Sequence, residues 1–468
     1  MIGMRVTVIG GGLAGITAAL DCARGGAAVT LLEARGRLGG AVYSFERHGV
    51  AADNGQHVFL RCCTAYRGLL EDLEATGSVE LQPRLRIAVL APGAEPAWLY
   101  RSSLPAPFHL AGALLRYQPL SIRQRLSVAR AMRRLDGIDP DSAVADERSF
   151  GDWLDQQGQD ERAREALWEL IVRPTLNLRA QDASLAQVAQ VFQTGLLHDP
   201  AAGDIGIARV PLSEIHDLAA RRALTRAGVD VRLRHGAAAV RQAGEQLCVQ
   251  ISGAPALTAD AVVVAVPPAR AARLLPEQAG VDAAIAAGLG SSPIVNLHVV
   301  YDRRVLDMAF AAGIGSPVQW VFDRTRSAGS DSDSDSSQYL VVSLSAADAE
   351  LEATVDELRD RYLAALAELL PRAREAAVET FFVTREHAAT FRAAPGARAR
   401  RPPARTGVPG LVLAGAWTDT GWPATMEGAV RSGHEAARQA LEAGAAAAGA
   451  RHARTAESPV GQLAGSGA

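Results

Sequence analysis

Apolar positions fall into distinct rhythms along the chain, and each predicts a different kind of element. Residues 5–9 form a short, nearly continuous apolar run, as in a strand buried on both faces. Residues 15–25 follow with helical spacing, and residues 28–32 repeat the strand pattern, closing a β-turn-α-β unit. The middle of the chain changes period. Residues 121–135, 150–157, 161–171 and 185–197 carry apolar positions at helical spacing and predict a helical lobe. Strand character returns at 229–233, 248–251 and 261–266, the last stopped by Pro267 and Pro268, which cannot continue a ladder. A second mixed region comprises 294–301, 318–322 and 339–344, with an Asp/Ser/Gly tract at 326–337 that predicts an exposed, flexible loop. Near the end, Pro423 and Thr425 open a long helix. Its Met426, Ala429, Val430, Gly433, Ala437, Ala440 and Leu441 form one stripe expected to pack against a sheet.

The opening unit gives Gly10, Gly12 and Gly15 their meaning. In a strand-turn-helix, the first glycine permits the tight turn, the second lets backbone approach a phosphate, and the third lets helix and strand pack closely. The helix N-terminus then offers unpaired N–H groups to a pyrophosphate. Glu33 ends the second strand, where a carboxylate accepts from both hydroxyls of an adenosine ribose and repels a 2′-phosphate, favouring NAD or FAD over NADP. Arg35, Arg37, Gly39 and Gly40 follow directly and suit a second wrap around the pyrophosphate and ribityl chain; a charged surface loop is the plainer alternative. The run Asp53, Asn54, Gly55, Gln56 and His57 is either an ordinary polar turn or part of a site. At the far end, Gly415, Asp419, Thr425 and Met426 lead into the last helix, whose dipole would stabilise negative charge on a reduced flavin ring. One large cofactor gripped by both ends of the chain is the economical reading, and FAD is the natural candidate.

The nucleotide fold is therefore interrupted. The expected architecture is α/β: a discontinuous Rossmann-like FAD-binding domain (1–90, 205–280 and 405–445) with a substrate domain. That second domain has a helical part (91–204) and a mixed-sheet part (281–404), and residues 446–468 are expected to be a disordered tail. A chain of 468 residues, 48% hydrophobic, has the material for such a two-lobed enzyme. The net charge of −3 gives no reason to expect a nucleic-acid partner. There is no lysine, which excludes Schiff-base chemistry and an ATP-binding P-loop. Cys22, Cys62, Cys63 and Cys248 lack metal-site spacing, so no metal and a reduced, cytoplasmic setting are expected. The start of the chain does not read as a signal peptide and no apolar run is long enough to span a bilayer, which leaves peripheral membrane contact open. Residues 108–115 admit two readings, a buried helix or, with Arg116, a membrane-touching segment; the buried helix is preferred.

Residues 33–40, 53–57 and 414–433 together resemble the amine-oxidase-type flavoproteins, a superfamily that includes monoamine oxidases, protoporphyrinogen oxidases and carotenoid desaturases. Within it the chain most resembles the hydroxysqualene dehydroxylases, also called squalene-associated FAD-dependent desaturases. The cues are residues 53–60 followed by 62–66, residues 174–177 before Ala183 and Ser184, residues 210–213, and residues 417–430. Two positions depart from the pattern. Related flavoproteins commonly carry Arg where this chain has Ala41 and Asp where it has Ala416; Arg35, Arg37 and Asp419 are the residues that could compensate. The missing lysine argues against amine oxidation, because many amine oxidases hold a water beside the flavin with one.

The resemblance implies an isoprenoid lipid substrate, reductive loss of an allylic hydroxyl from hydroxysqualene to give squalene, and an external electron donor. It places Asp53 and His57 beside the flavin, for proton supply or orientation, although both could merely anchor a loop there; Glu427 is a weaker candidate. Residues 110–135 and 167–197 are expected to line a long apolar cavity. The rival readings are a carotenoid-type isoprenoid desaturase and a non-catalytic flavin-binding partner that handles lipids.

Overall fold

Val6, Val8, Leu31, Leu32 and Val262–Val264 are all within 1% of complete burial, which only a sheet covered on both faces can achieve. They lie in a five-stranded parallel sheet in the order Asp230–Leu233, Ala28–Glu33, Arg5–Ile9, Ala261–Val264, Leu411–Leu413. Segments from the beginning, middle and end of the chain thus build one sheet. The structure is a computed structural model, and it describes residues 4–244, 246–328 and 337–457. Helix Leu13–Arg24 packs against the long C-terminal helix Met426–Glu457 at backbone distance: a Cβ on Gly433 would lie 2.4 Å from the Ala14 carbonyl oxygen. In the C-terminal stripe, Val430, Ala437 and Ala440 are buried as expected, but Met426 and Ala429 line a cavity instead.

The second lobe is built on a seven-stranded mixed sheet. Its order is Val378–Thr390, Ser292–Tyr301, Gln338–Ser345, Trp320–Asp323, Phe310–Gly313, Arg86–Leu90, Ala97–Tyr100. All neighbours are antiparallel except Phe310–Gly313 with Arg86–Leu90. The boundary expected at residue 90 is therefore misplaced. Arg86–Leu90 belongs to the second lobe because its parallel partner lies far along the chain, beyond the reach of local pattern.

Helices form the outer wall. Ile122–Asp136 starts at Ser121, which makes a capping box with Gln124. Phe150–Gln156, Glu169–Leu176 and Leu185–Phe192 converge on Trp168, fully buried between Phe150 and Phe192 at ring separations of 5.5 and 5.3 Å. The helix expected to stop at residue 171 continues past Pro174 to Leu176 and ends on Asn177 in the left-handed conformation. The strand expected over 261–266 ends earlier, at Val264, before Pro267 is reached, and Pro268 then opens helix Pro268–Leu274. Of the tract at 326–337, residues 329–336 lie outside the described residues. The tail expected from residue 446 begins instead as a continuation of the last helix to Glu457, since an alanine-rich run readily propagates a helix already anchored by packing; residues 458–468 lie outside the described residues.

Candidate active site

The glycine turn is set by hard contacts. Gly10 has φ 108°, and a Cβ there would lie 2.3 Å from the Ala265 carbonyl oxygen. A Cβ on Gly15 would lie 1.8 Å from the Gly10 carbonyl oxygen, so the helix can seat only without one. Gly12 differs: it lines the cavity, and a Cβ there would meet only Gly40, at 3.7 Å. As N-cap of Leu13–Arg24 it supplies no side-chain cap, which leaves first-turn N–H groups for an anion. Gly39 and Gly40, at φ 90° and 61°, back onto this turn, with the Gly39 N–H donating to the Gly11 carbonyl at 2.9 Å. The Glu33 carboxylate accepts from the Gly11 and Arg35 N–H groups, each at 2.7 Å. Each oxygen keeps a further lone pair, and the residue lines the cavity, as ribose recognition requires.

A single cavity of about 1910 Å³ runs from this turn to the helical lobe. It passes Arg35, Gly39–Ala41, Asn54–Leu60, Gly415–Trp417 and the start of the C-terminal helix. Thr425 caps that helix, accepting from the Gly428 N–H at 3.1 Å, and Met426 begins it; both line the cavity. Gly415 has φ 139° and donates its N–H to Ser432 Oγ at 2.7 Å. Ala41 and Ala416, the two departures, also face the cavity, so those positions add no charge to its wall.

Several expected residues do not reach it. Asp53 does not line the cavity: its carboxylate is paired with the Arg324 guanidinium at 2.7 Å and also accepts from Ser44 Oγ at 2.6 Å and the Leu212 N–H at 3.0 Å. Of its two expected roles, a proton source beside the flavin or the anchor of a loop, these partners are those of an anchor. Arg37 lies over the Tyr43 ring at 3.6 Å and donates to the Gly40 carbonyl at 3.0 Å, supporting the loop from behind. Asp419 is exposed outside the cavity and cannot replace the acid missing at Ala416. Glu427 does line the cavity, but it is only 1% exposed and its carboxylate is taken up by Arg431 Nε at 2.6 Å and by the Tyr66 N–H at 2.8 Å, which caps a different helix, Thr64–Asp72. Asn54, by contrast, lines the cavity and braces the loop carrying Ala41, whose carbonyl accepts from Asn54 Nδ2 at 2.9 Å.

His57 does line the cavity, and its Nε2, like Gln56 Nε2, is buried without a hydrogen-bond partner among the described residues. Burial pushes the His57 ring down to about 4, so it is neutral at pH 7. Two residues escaped the sequence reading. Glu386 lines the cavity, held by Asn54 Nδ2 at 3.0 Å and the Tyr43 hydroxyl at 3.3 Å. Arg401, 6% exposed, clamps the C-terminal loop by donating to the carbonyls of Ala416 at 3.0 Å and Thr418 at 2.5 Å. Neither sits in a recognisable motif; only an unexplained ionisable residue in an otherwise apolar or arginine-rich run could have flagged them.

These walls fit a flavin dinucleotide. They offer an uncapped helix start, an acid with lone pairs to spare, a glycine pair in left-handed conformation, and the partnerless Gln56 and His57. The fold and site together define a two-lobed FAD-dependent oxidoreductase. The chain matches the family model for flavin containing amine oxidoreductase over residues 13–441 and belongs to that family. It is 29% identical to a hydroxysqualene dehydroxylase of Rhodopseudomonas palustris, over 94% of this chain and 99% of that one. It is 23% identical to a zeta-carotene desaturase of Synechocystis, over 94% and 97% of the two chains. The structure of an oxidoreductase from Methanosarcina mazei superposes with a TM-score of 0.71 at 16% identity, covering 92% of this chain and 99% of the other. Among the described residues, no helix is long and apolar enough to cross a membrane, and no cluster of three or more His, Cys, Asp or Glu could hold a metal.

Proposed function

We propose that this protein reduces hydroxysqualene to squalene, with loss of the allylic hydroxyl as water. The observation that carries the reading is the cavity's apolar extension. Past the nucleotide-binding turn it continues between Leu110, Leu114, Met132, Leu170, Ile171 and Leu196 of the helical lobe. At about 1910 Å³ it exceeds the roughly 300–1,000 Å³ of an ordinary small-molecule site, leaving room for a long isoprenoid beside a dinucleotide. Similarity to proteins named for this reaction supports it.

When bound and reduced, FAD would supply the hydride that replaces the departing hydroxyl, and one proton taken up from solvent through the cavity's open end would let that hydroxyl leave as water. The chain's own residues do the rest. The apolar walls exclude water and so strengthen every charge interaction inside. His57, neutral and partnerless at Nε2, suits a hydrogen bond that orients the substrate hydroxyl. Glu386 contributes a carboxylate to the same cavity, where negative charge stabilises cationic character at an allylic carbon. Asp53, spent on Arg324, takes no part in proton transfer.

Similarity to zeta-carotene desaturases favours a second reading, oxidative desaturation of an isoprenoid in the same cavity. Product analysis separates the two. Reduced enzyme given hydroxysqualene without oxygen should release squalene. A new double bond made by oxidised enzyme from a polyene, with no squalene from the alcohol, would transfer the assignment to desaturation.

A further inference from the structure

Of the eight large apolar side chains exposed among the described residues, five lie close together in sequence: Leu104, Phe108, Leu115, Ile122 and Leu126. They are 52–72% exposed. Four of them, Phe108, Leu115, Ile122 and Leu126, also line the large cavity, so they form its rim where it opens to the surface. The buried helix expected over residues 108–115 is thus only half right: Ala113 is buried, but Phe108 and Leu115 face outward. Charge along the segment that carries this rim is one-sided, with Asp136 at the helix end and Asp160, bound by Gln124, as the neighbouring acids. Between Glu95 and Asp136 the chain has seven arginines and no carboxylate, within a protein of net charge −3. Only Arg101 of the seven is ion-paired among the described residues. On helix Ile122–Asp136, Arg123, Arg130 and Arg134 flank the exposed ridge of Ile122, Leu126 and Ala129.

We propose that this arginine-fringed rim docks on an anionic lipid bilayer, which gives the cavity a direct opening into the membrane. Apolar tips entering the interface and unpaired arginines meeting phosphate are the two contributions such binding requires. A second copy of this chain is a poor occupant, because two-fold pairing sets the same patch against itself and brings arginine against arginine. Entry of a lipid substrate through the rim rests on the proposed function, whereas the docking itself does not.

The test uses the full-length, FAD-loaded protein in flotation with vesicles of phosphatidylcholine alone or mixed with phosphatidylglycerol. Binding should require the anionic lipid and weaken with salt. Removing two charges in Arg123→Gln/Arg130→Gln, neither of which lines the cavity, should weaken it roughly thirtyfold, at about fivefold per arginine. Leu115→Ser/Ile122→Ser, at positions already exposed, should weaken it further. Absence of binding by folded, FAD-loaded protein, or binding unchanged in the arginine variant, would overturn the proposal. So would a wild-type dimer in sedimentation that Ile122→Glu dissociates, since the rim would then belong to a second copy. Vesicle binding without squalene formation would leave the docking standing and sink the dehydroxylase reading. Squalene formation in detergent without vesicle binding would do the reverse.

Discussion

Asp53→Asn offers a sharp test of what the buried ion pair does. Asp53 and Arg324 have side chains only 4% and 8% exposed, and their contact at 2.7 Å joins residues 271 positions apart. Arg324 also donates to the Ala208 carbonyl at 2.7 Å, so one guanidinium ties the Ser44–Arg47/Val50–Asp53 hairpin, the Ile205–Ala208 strand and the second lobe. Neutralising Asp53 leaves that guanidinium charged and buried without its counter-ion. Breaking such a pair from one side costs about 3–5 kcal/mol. Because a two-lobed chain unfolds in more than one step, the midpoint of the first urea transition is the quantity to compare, followed by tryptophan fluorescence and flavin release. Asp53→Asn and Arg324→Met should each lower it. The double variant Asp53→Asn/Arg324→Met, which buries no lone charge, should recover most of the loss, with a coupling of at least ~2 kcal/mol. Turnover per bound flavin in the surviving folded protein should stay within a few-fold of wild type. Wild-type stability combined with lost turnover in Asp53→Asn would refute this reasoning and restore Asp53 as the proton donor.

Three further outcomes follow from the same geometry. Gly40→Ala would place a Cβ 2.8 Å from Gly12 Cα at φ 61°, so FAD loading, read by absorbance of the purified protein, should fall sharply while the second lobe stays folded. Arg401→Met removes the clamp on Ala416 and Thr418, and should raise the FAD dissociation constant about tenfold or more by fluorescence titration. Burial pushes the His57 ring down to about 4 and those of His216 and His298 to about 3, against an ordinary value near 6.5. The unfolded chain therefore binds more protons below pH ~6.5, so stability is fully present above that and falls as pH drops toward 4, by roughly 3 kcal/mol per ring. Urea midpoints at neutral and mildly acid pH should show the decline, and His298→Phe should flatten it; a midpoint independent of pH would contradict the burial of these rings.

The parts of the fold that local pattern controls were legible in the sequence. Gly10 and Gly15 occupy positions where a side chain collides with backbone, and Glu33 sits where its strand ends. Thr425 and Met426 were readable because a cap and a first turn are written within a few residues. What was not legible depends on partners distant in the chain. Nothing near Asp53 announces Arg324, and nothing near Arg86–Leu90 announces its pairing with Phe310–Gly313. Arg37 and Asp419 share motifs with real cavity residues, yet their side chains turn toward a tyrosine ring and toward solvent. Glu386 enters the site from the edge strand Val378–Thr390, held by Asn54 across 332 positions. A motif gives the backbone path, whereas the direction of each side chain is settled by tertiary partners.

The most direct test of the central claim is a single anaerobic turnover. The FAD-loaded protein is reduced, mixed with hydroxysqualene, and followed by flavin absorbance while squalene is extracted and quantified. The account predicts flavin reoxidation matched one-to-one by squalene. Flavin that stays reduced in the presence of bound hydroxysqualene, with no squalene formed, would contradict it.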